Sequence, residues 1–176
     1  MSVLMLFDKD YVRFEDVGEN GLLTATAAMR ILVSACLLGV SCRYDGASKP
    51  IDAEKIEKLK EKFELIPVCP ESLGGLHCPR DPSERIGDKV ISCNGADVTV
   101  QYERGARETL YLARLFDCRI ALLKERSPSC GHGQIYDGSF SGTLRDGDGV
   151  TAQLLTANGI AVYGESEIDA LLEVAE

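Results

Sequence analysis

Two hydrophobic periods alternate along this chain. Short runs dominated by apolar residues recur at 31–36 (ILVSAC), 64–69 (ELIPVC), 119–124 (RIALLK) and 160–166 (IAVYGES). Such runs read as strands buried on both faces, as in a parallel sheet. Between them the period lengthens. In IDAEKIEKLKEKF (51–63), Ile51, Ile56, Leu59 and Phe63 recur near helical spacing, and Asp52 is placed to cap the helix N-terminus. The longest helical stretch, VTVQYERGARETLYLARLFD (98–117), turns Ala106, Leu110, Ala113 and Leu115 toward a core. GVTAQLLTANG (149–159) predicts a helix ending at Gly159, and EIDALLEVA (167–175) a closing helix. Strands alternating with helices predict an α/β fold: a doubly wound, mostly parallel sheet with helices on both faces, in a single domain over 31–176. The first 30 residues differ. A strand at Tyr11 to Phe14 and a Gly-Glu-Asn-Gly turn at 18–21 read as an N-terminal extension or edge hairpin.

Charge narrows the partners. The net charge of −9 leaves no broad basic surface to displace counterions, which excludes duplex nucleic acid as the main partner. No apolar stretch approaches the ~20 residues that span a bilayer, so no membrane is expected. The N-terminal stretch lacks a basic start followed by a long apolar core, so no secretory signal is read and a cytoplasmic location is expected. In that reducing compartment the seven cysteines gain weight as metal ligands or catalytic groups, and an odd number cannot all pair within the chain.

Three of these cysteines share a position. Cys36 ends the first strand, Cys69 the second, and Cys130 follows the third by a short turn. In an open parallel sheet, ligands bind beyond the carboxyl ends of the strands, so three strand ends deliver thiols to one edge. A structural zinc site wants four ligands, usually in close pairs such as C-x-x-C, and no C-x-x-C is present. His77 and His132 are candidates to complete a mixed site. A cubane iron–sulfur cluster held by three thiolates would leave one iron open, a soft Lewis acid suited to sulfur. The competing reading is three unrelated small residues packed at strand ends. Cys118, at the opposite edge, and Cys93 read as structural. Cys42 and Cys78, in loops near the candidate site, have a lesser claim to a ligand or redox role.

The loops around the thiols carry polar chemistry. CLLGVSCRYDG brings Tyr44 and Asp45, CPESLGG brings Glu71, and KERSPSCG brings Lys124, Ser127, Ser129 and Gly131. A carboxylate beside a metal can activate water, and a serine hydroxyl can relay a proton. Tyr44, Asp45, Lys124, Ser129 and Gly131 are the candidate substrate contacts. The bland alternatives are helix capping by Glu71 and Asp45 and turn formation by Ser127. A phosphatase-type loop does not fit, since bulky Leu37 and Leu38 sit where backbone amides must approach oxygens and Arg43 falls one residue late. Glycine-rich nucleotide fingerprints are absent after the first strand. A thiol–disulfide oxidoreductase is disfavoured by the missing C-x-x-C.

Taken together, ILVSACLLG with CRYDG, VCPESLGGL with PR, DVT, LKERSPSCG, IYDGSFSG and GVTAQLL resemble the thiouracil desulfidase family, over residues 31 to about 165 in the family's order. The resemblance implies a 4Fe–4S cluster on Cys36, Cys69 and Cys130. It implies non-redox desulfuration of thiouracil or a related small-molecule thiolated base, with the open iron taking the substrate sulfur, which leaves as sulfide. Glu71 would then activate water and Ser127 assist proton transfer. The alternative is a non-catalytic metal- or cluster-binding or regulatory module, which binds metal and releases no sulfide. Cys78 stands where the family pattern more often has an aliphatic residue or threonine.

Overall fold

A strand with no polar face has to be covered on both sides, and β1 (Met29–Ser34) shows how. The computed structural model describes residues 28–174; the strand and turn expected within 11–21 lie outside the described residues. The last four residues of β1 are buried. Ile31 and Val33 pack into one apolar cluster and Leu32 into another on the opposite face. β1 pairs in parallel with β2 (Phe63–Val68) and with β5 (Ile120–Leu123), and β5 pairs in parallel with β8 (Ala161–Gly164). The sheet order is β2-β1-β5-β8.

Helices cover both faces. On one, α1 (Ala53–Lys62) and α5 (Ile168–Glu173) bring Leu59, Ile168 and Leu171 against Ile31, Val33 and Leu122. On the other, α3 (Thr99–Leu115) and α4 (Val150–Ala157) bring Leu110, Ala113, Ala152 and Leu155 against Leu32, Ala121 and Leu123. The doubly wound α/β architecture read from the sequence is therefore the architecture of the protein. Asp52 caps α1, accepting from the Glu54 amide at 2.8 Å. Among the described residues no helix is long and apolar enough to cross a membrane.

Three expectations change. Phe63 does not end α1 on its apolar face; its backbone is already extended, and it opens β2 as a buried core residue. Leu115 does not face the core. It lies about 200° around the helix from the fully buried Ala113, and it is 58% exposed. Finally, two antiparallel hairpins stand outside the sheet: β3 (Ser83–Ile86) with β4 (Lys89–Ser92), and β6 (Gln134–Tyr136) with β7 (Leu144–Asp146).

The topology fixes where a site belongs. The chain leaves β1 toward β2 on one side and later returns to β5 on the other, so the crossovers diverge beyond the carboxyl end of β1. Divergence of this kind opens a crevice in doubly wound sheets.

Candidate active site

That crevice is a cavity of about 700 Å³ at the carboxyl ends of β1, β2 and β5. Three segments carry the three strand-end thiols onto its wall. After β1 the chain makes a tight 3₁₀ turn (Ala35–Leu38), so Cys36 sits two residues past the strand, within the turn. After β2, Cys69 caps α2 (Pro70–Leu73), a single helical turn. This turn lies directly on α3 because both contact points are glycine. A Cβ on Gly105 would overlap the Pro70 carbonyl, and one on Gly74 would overlap that of Gln101. After β5, the loop carrying Cys130 is fastened to the start of α4. The Val150 and Thr151 amides donate to the carbonyls of Pro128 (2.9 Å) and Ser129 (2.8 Å).

The sequence-predicted residues divide on this geometry. Cys36, Cys69, Cys130, Glu71, Ser127, Tyr44 and Lys124 all line the cavity. Asp45, Ser129 and Gly131 do not. Asp45 pairs with Arg43 (3.0 Å) and accepts from the Ala47 amide, which makes it a turn-former. Ser129 is fully buried, its hydroxyl 2.9 Å from that of Thr151. Gly131 is a packing position, where a Cβ would press on the Ser127 carbonyl and on Ile135. Neither histidine reaches the wall; His132 Nδ1 is 2.9 Å from Asp148. Lys124 is paired with Glu165, whose other oxygen accepts from the Glu125 amide at 2.6 Å.

Sequence reasoning missed Arg80. Its guanidinium, 7% exposed, donates through Nε (2.8 Å) and Nη2 (2.5 Å) to one oxygen of Glu71. It also donates to the carbonyls of Cys42 and His77. Burial works against the arginine's charge, but the Glu71 carboxylate more than offsets it and holds Arg80 protonated. The other Glu71 oxygen faces the Ser127 hydroxyl at 3.4 Å. Ser127 also accepts from the amides of Ser129 and Cys130, each at 3.1 Å. It is therefore both turn-former and cavity-wall hydroxyl. With those two acceptances made, its remaining capacity is its one proton. Tyr102, buried on the same wall, has its phenol pushed up by burial and by the Glu71 charge.

The thiol environment was only partly foreseen. Cys42 is buried on the wall, and its thiol is pushed up to about 12 by burial and by Cys69. Cys93, expected to be structural, is exposed and also on the wall, carried there by the turn after β4. Cys78 is exposed, bonds the Ser41 and Arg43 carbonyls and does not line the cavity. Cys118 is buried away from the site, beside a shallower groove at the other end of the sheet. Burial raises Cys36 and Cys130; Cys69 raises Cys36 further, while at Cys130 a hydrogen bond with Ser34 works against the rise and the charge of Glu71, then of Cys36 and Cys69, adds to it.

That donor set asks for positive charge. Among the described residues, no three His, Cys, Asp or Glu side chains form a group that could hold a metal ion. A lone ion needs its sulfur donors converging about 2.3 Å away. In an iron–sulfur cubane each thiolate meets a different iron, so its ligands stay apart around the cluster. Three soft donors from three separate loops around one cavity fit the second kind of group.

Comparison with known proteins decides the family. The family model described as 2-thiouracil desulfurase matches residues 31–167. The chain belongs to the 2-thiouracil desulfurase family. The match runs from β1 through β8 and includes every thiol discussed above, Glu71, Arg80 and Ser127. An uncharacterized protein of Bacillus subtilis (strain 168), YbbK, is 43% identical over 152 residues, covering 81% of this chain and 99% of that protein. Among solved structures, the [4Fe-4S]-dependent thiouracil desulfidase TudS superposes with a TM-score of 0.79 at 44% identity, covering 83% of this chain and 97% of that one.

Proposed function

We propose that this protein removes sulfur from thiouracil or a closely related thiolated base by iron–sulfur-dependent, non-redox hydrolysis. The thiocarbonyl carbon exchanges sulfur for the oxygen of water, giving uracil and hydrogen sulfide, and no electron is consumed. The observation that carries this reading is the meeting of Cys36, Cys69 and Cys130 with Glu71 and Ser127 on one cavity wall. The likeness to TudS supports it. A 4Fe–4S cluster held by the three thiolates supplies, when bound, an iron without a protein ligand, a soft Lewis acid matched to sulfur.

The chain's own residues do the rest. Glu71 takes a proton from the attacking water. Arg80 grips one of its oxygens and leaves the other facing Ser127, so the carboxylate presents a single free edge. Glu71 then returns that proton toward the departing sulfur, and the Ser127 hydroxyl, held by the amides of Ser129 and Cys130, assists by donating to the free Glu71 oxygen and orienting it for the transfer. Tyr102 and Arg80 are buried on the wall behind Glu71 and keep bulk water from that side.

Anaerobic reconstitution followed by a sulfide assay with 4-thiouracil tests the reading. The protein should take up about four irons per chain and release sulfide. Glu71→Gln should keep the iron and lose sulfide release by about 10²-fold or more. Full activity in iron-free protein, or an unaffected Glu71→Gln, would sink it. Iron uptake without sulfide release would leave a cluster-binding module instead.

A further inference from the structure

The loop between β6 and β7, residues 137–143, forms the outer side of the same cavity and places Phe140 on its wall. Phe140 has a φ of 56°, in the left-handed region that residues with a Cβ seldom occupy, and its side chain is 39% exposed. An apolar ring held out of the core in a strained conformation needs a structure that insists on it.

That structure is present. Within the loop, Asp137 accepts from the Ser139 amide (2.9 Å) and hydroxyl (2.5 Å). The hydroxyls of Ser139, Ser141 and Thr143 continue in a ladder at 2.7 Å per step. From outside, Glu84 on β3 accepts the backbone amides of Gly138 (2.8 Å) and Phe140 (3.0 Å) on a single oxygen. Glu84 is only 8% exposed. Gly138 lies against β3 so closely that a Cβ would come within 2.5 Å of Ile86. A nearly buried carboxylate thus fixes the two amides that set the direction of Phe140.

The rest of the wall explains what this achieves. Arg43, Glu71, Arg80, Lys124 and Glu165 line it with charge, and of the four aromatic side chains on the wall, Tyr44, Tyr102, Tyr136 and Phe140, Phe140 is the one with no polar group. Ligand cavities place apolar and aromatic surface beside a few oriented polar groups, and aromatic faces take heteroaromatic rings by stacking. We infer that Phe140 is the surface on which the pyrimidine ring of the substrate stacks, and that Glu84 is the positioning residue that holds it there. The inference rests on the desulfurase reading for the identity of the ring.

Kinetics and direct binding test it separately. In the reconstituted enzyme, Phe140→Ala should raise KM for 4-thiouracil about tenfold with kcat little changed, the signature of binding shared by ground and transition states. A tenfold change is ~1.4 kcal/mol, within the range for a base on an aromatic side chain. Phe140→Tyr, which keeps the ring, should recover most of that loss. Glu84→Ala should raise KM in the same way, and Glu84→Gln, which keeps an acceptor oxygen, should recover part of it. The chain contains no tryptophan, so Phe140→Trp places a single emitter on the wall. Its fluorescence should respond saturably to uracil, the product, without turnover.

Unchanged KM in Phe140→Ala, together with Trp emission indifferent to uracil, overturns the inference while leaving wild-type sulfide release untouched. A wild type that releases no sulfide, combined with a Phe140→Trp signal that responds to uracil, sinks the desulfurase reading and supports the stacking surface.

Discussion

The two sides of the cavity are built on different terms. The inner side consists of loops leaving the parallel sheet, and each is pinned to buried backbone: Cys69 and Glu71 by α2 lying on α3, Cys130 by the start of α4. The outer side consists of two small hairpins that bury one apolar side chain each, Val90 and Ile135, and are otherwise tied by polar contacts, among them Glu84 of β3 to the β6–β7 loop and Asp97 to the head of α3. A group that must be placed to a fraction of an ångström sits on the first kind of support. A surface that only has to meet a substrate can sit on the second.

Thiol replacement is the strongest way to break this division, because thiols stand on both sides. Cys69→Ser should abolish iron retention after anaerobic reconstitution and with it sulfide release. Cys93→Ser, on the outer side, should keep both. Iron analysis and sulfide yield on the two variants decide it, and equal loss in both would place the outer hairpin within the metal site.

Arg80 joins the two sides, reaching from the segment before β3 to Glu71 on α2. Removing one partner of a buried pair strands the other charge. Arg80→Gln should therefore destabilise the protein by about 3 kcal/mol, the lower end of the usual range because the pair borders a cavity. In a chain of this size that is a fall in Tm of about 10 °C. The double variant with Glu71→Gln should recover much of the loss, since no uncompensated carboxylate remains. A double variant as unstable as the single would locate the role of Arg80 in its carbonyl contacts.

The inner side was largely legible in the sequence, and the outer side was not, for the same physical reason. β1, β2, β5 and β8 lie in runs of mostly apolar residues, which stand out in the sequence, and a cysteine just past such a run is carried to the ligand edge by the topology alone. β3, β4, β6 and β7 set their few apolar residues among polar or charged ones, as in SERI and LRD, so no apolar run betrays them. Arg80 stood in the quoted PR stretch but received no role, because its partner lies nine residues back across an irregular path and nothing in the spacing brings the two together. The place of Cys93 on the wall was not foreseen because the turn that carries it there belongs to an unseen hairpin. Ser129 and Gly131 shared a loop with Cys130, but adjacency in a loop does not give a common direction, and both serve its packing.

Glycine substitutions sharpen the comparison at intermediate cost. Gly105→Ala drives a methyl into the Pro70 carbonyl, and overpacking of this kind costs about 1–3 kcal/mol. Because α2 carries Glu71 and follows Cys69, iron loading should fall along with Tm. Gly87→Ala, in the β3–β4 turn, meets open space and carries only the left-handed backbone penalty of about 1 kcal/mol. Thermal melts paired with iron analysis should therefore separate the two, with loading lost in the first and retained in the second.

The smallest effect should come from Asp97, which ties the β3–β4 hairpin to α3. Its carboxylate accepts from the Thr99 hydroxyl (2.5 Å) and amide (3.1 Å) and pairs with Lys89 on β4 at 3.2 Å. Thr99 first, then Lys89, hold its pKa down to about 2. The unfolded value is about 3.9. A depressed folded value contributes stability that is fully present above the unfolded pKa and is lost as pH falls through the folded one. Wild type should therefore exceed Asp97→Asn by a small, constant margin at neutral pH, and the margin should shrink from about pH 4 and vanish near pH 2. Denaturant melts of both proteins across that window measure it. A margin that survives below pH 2 would assign the tie to the shape of the side chain, and the outer hairpin would then be held as the inner loops are.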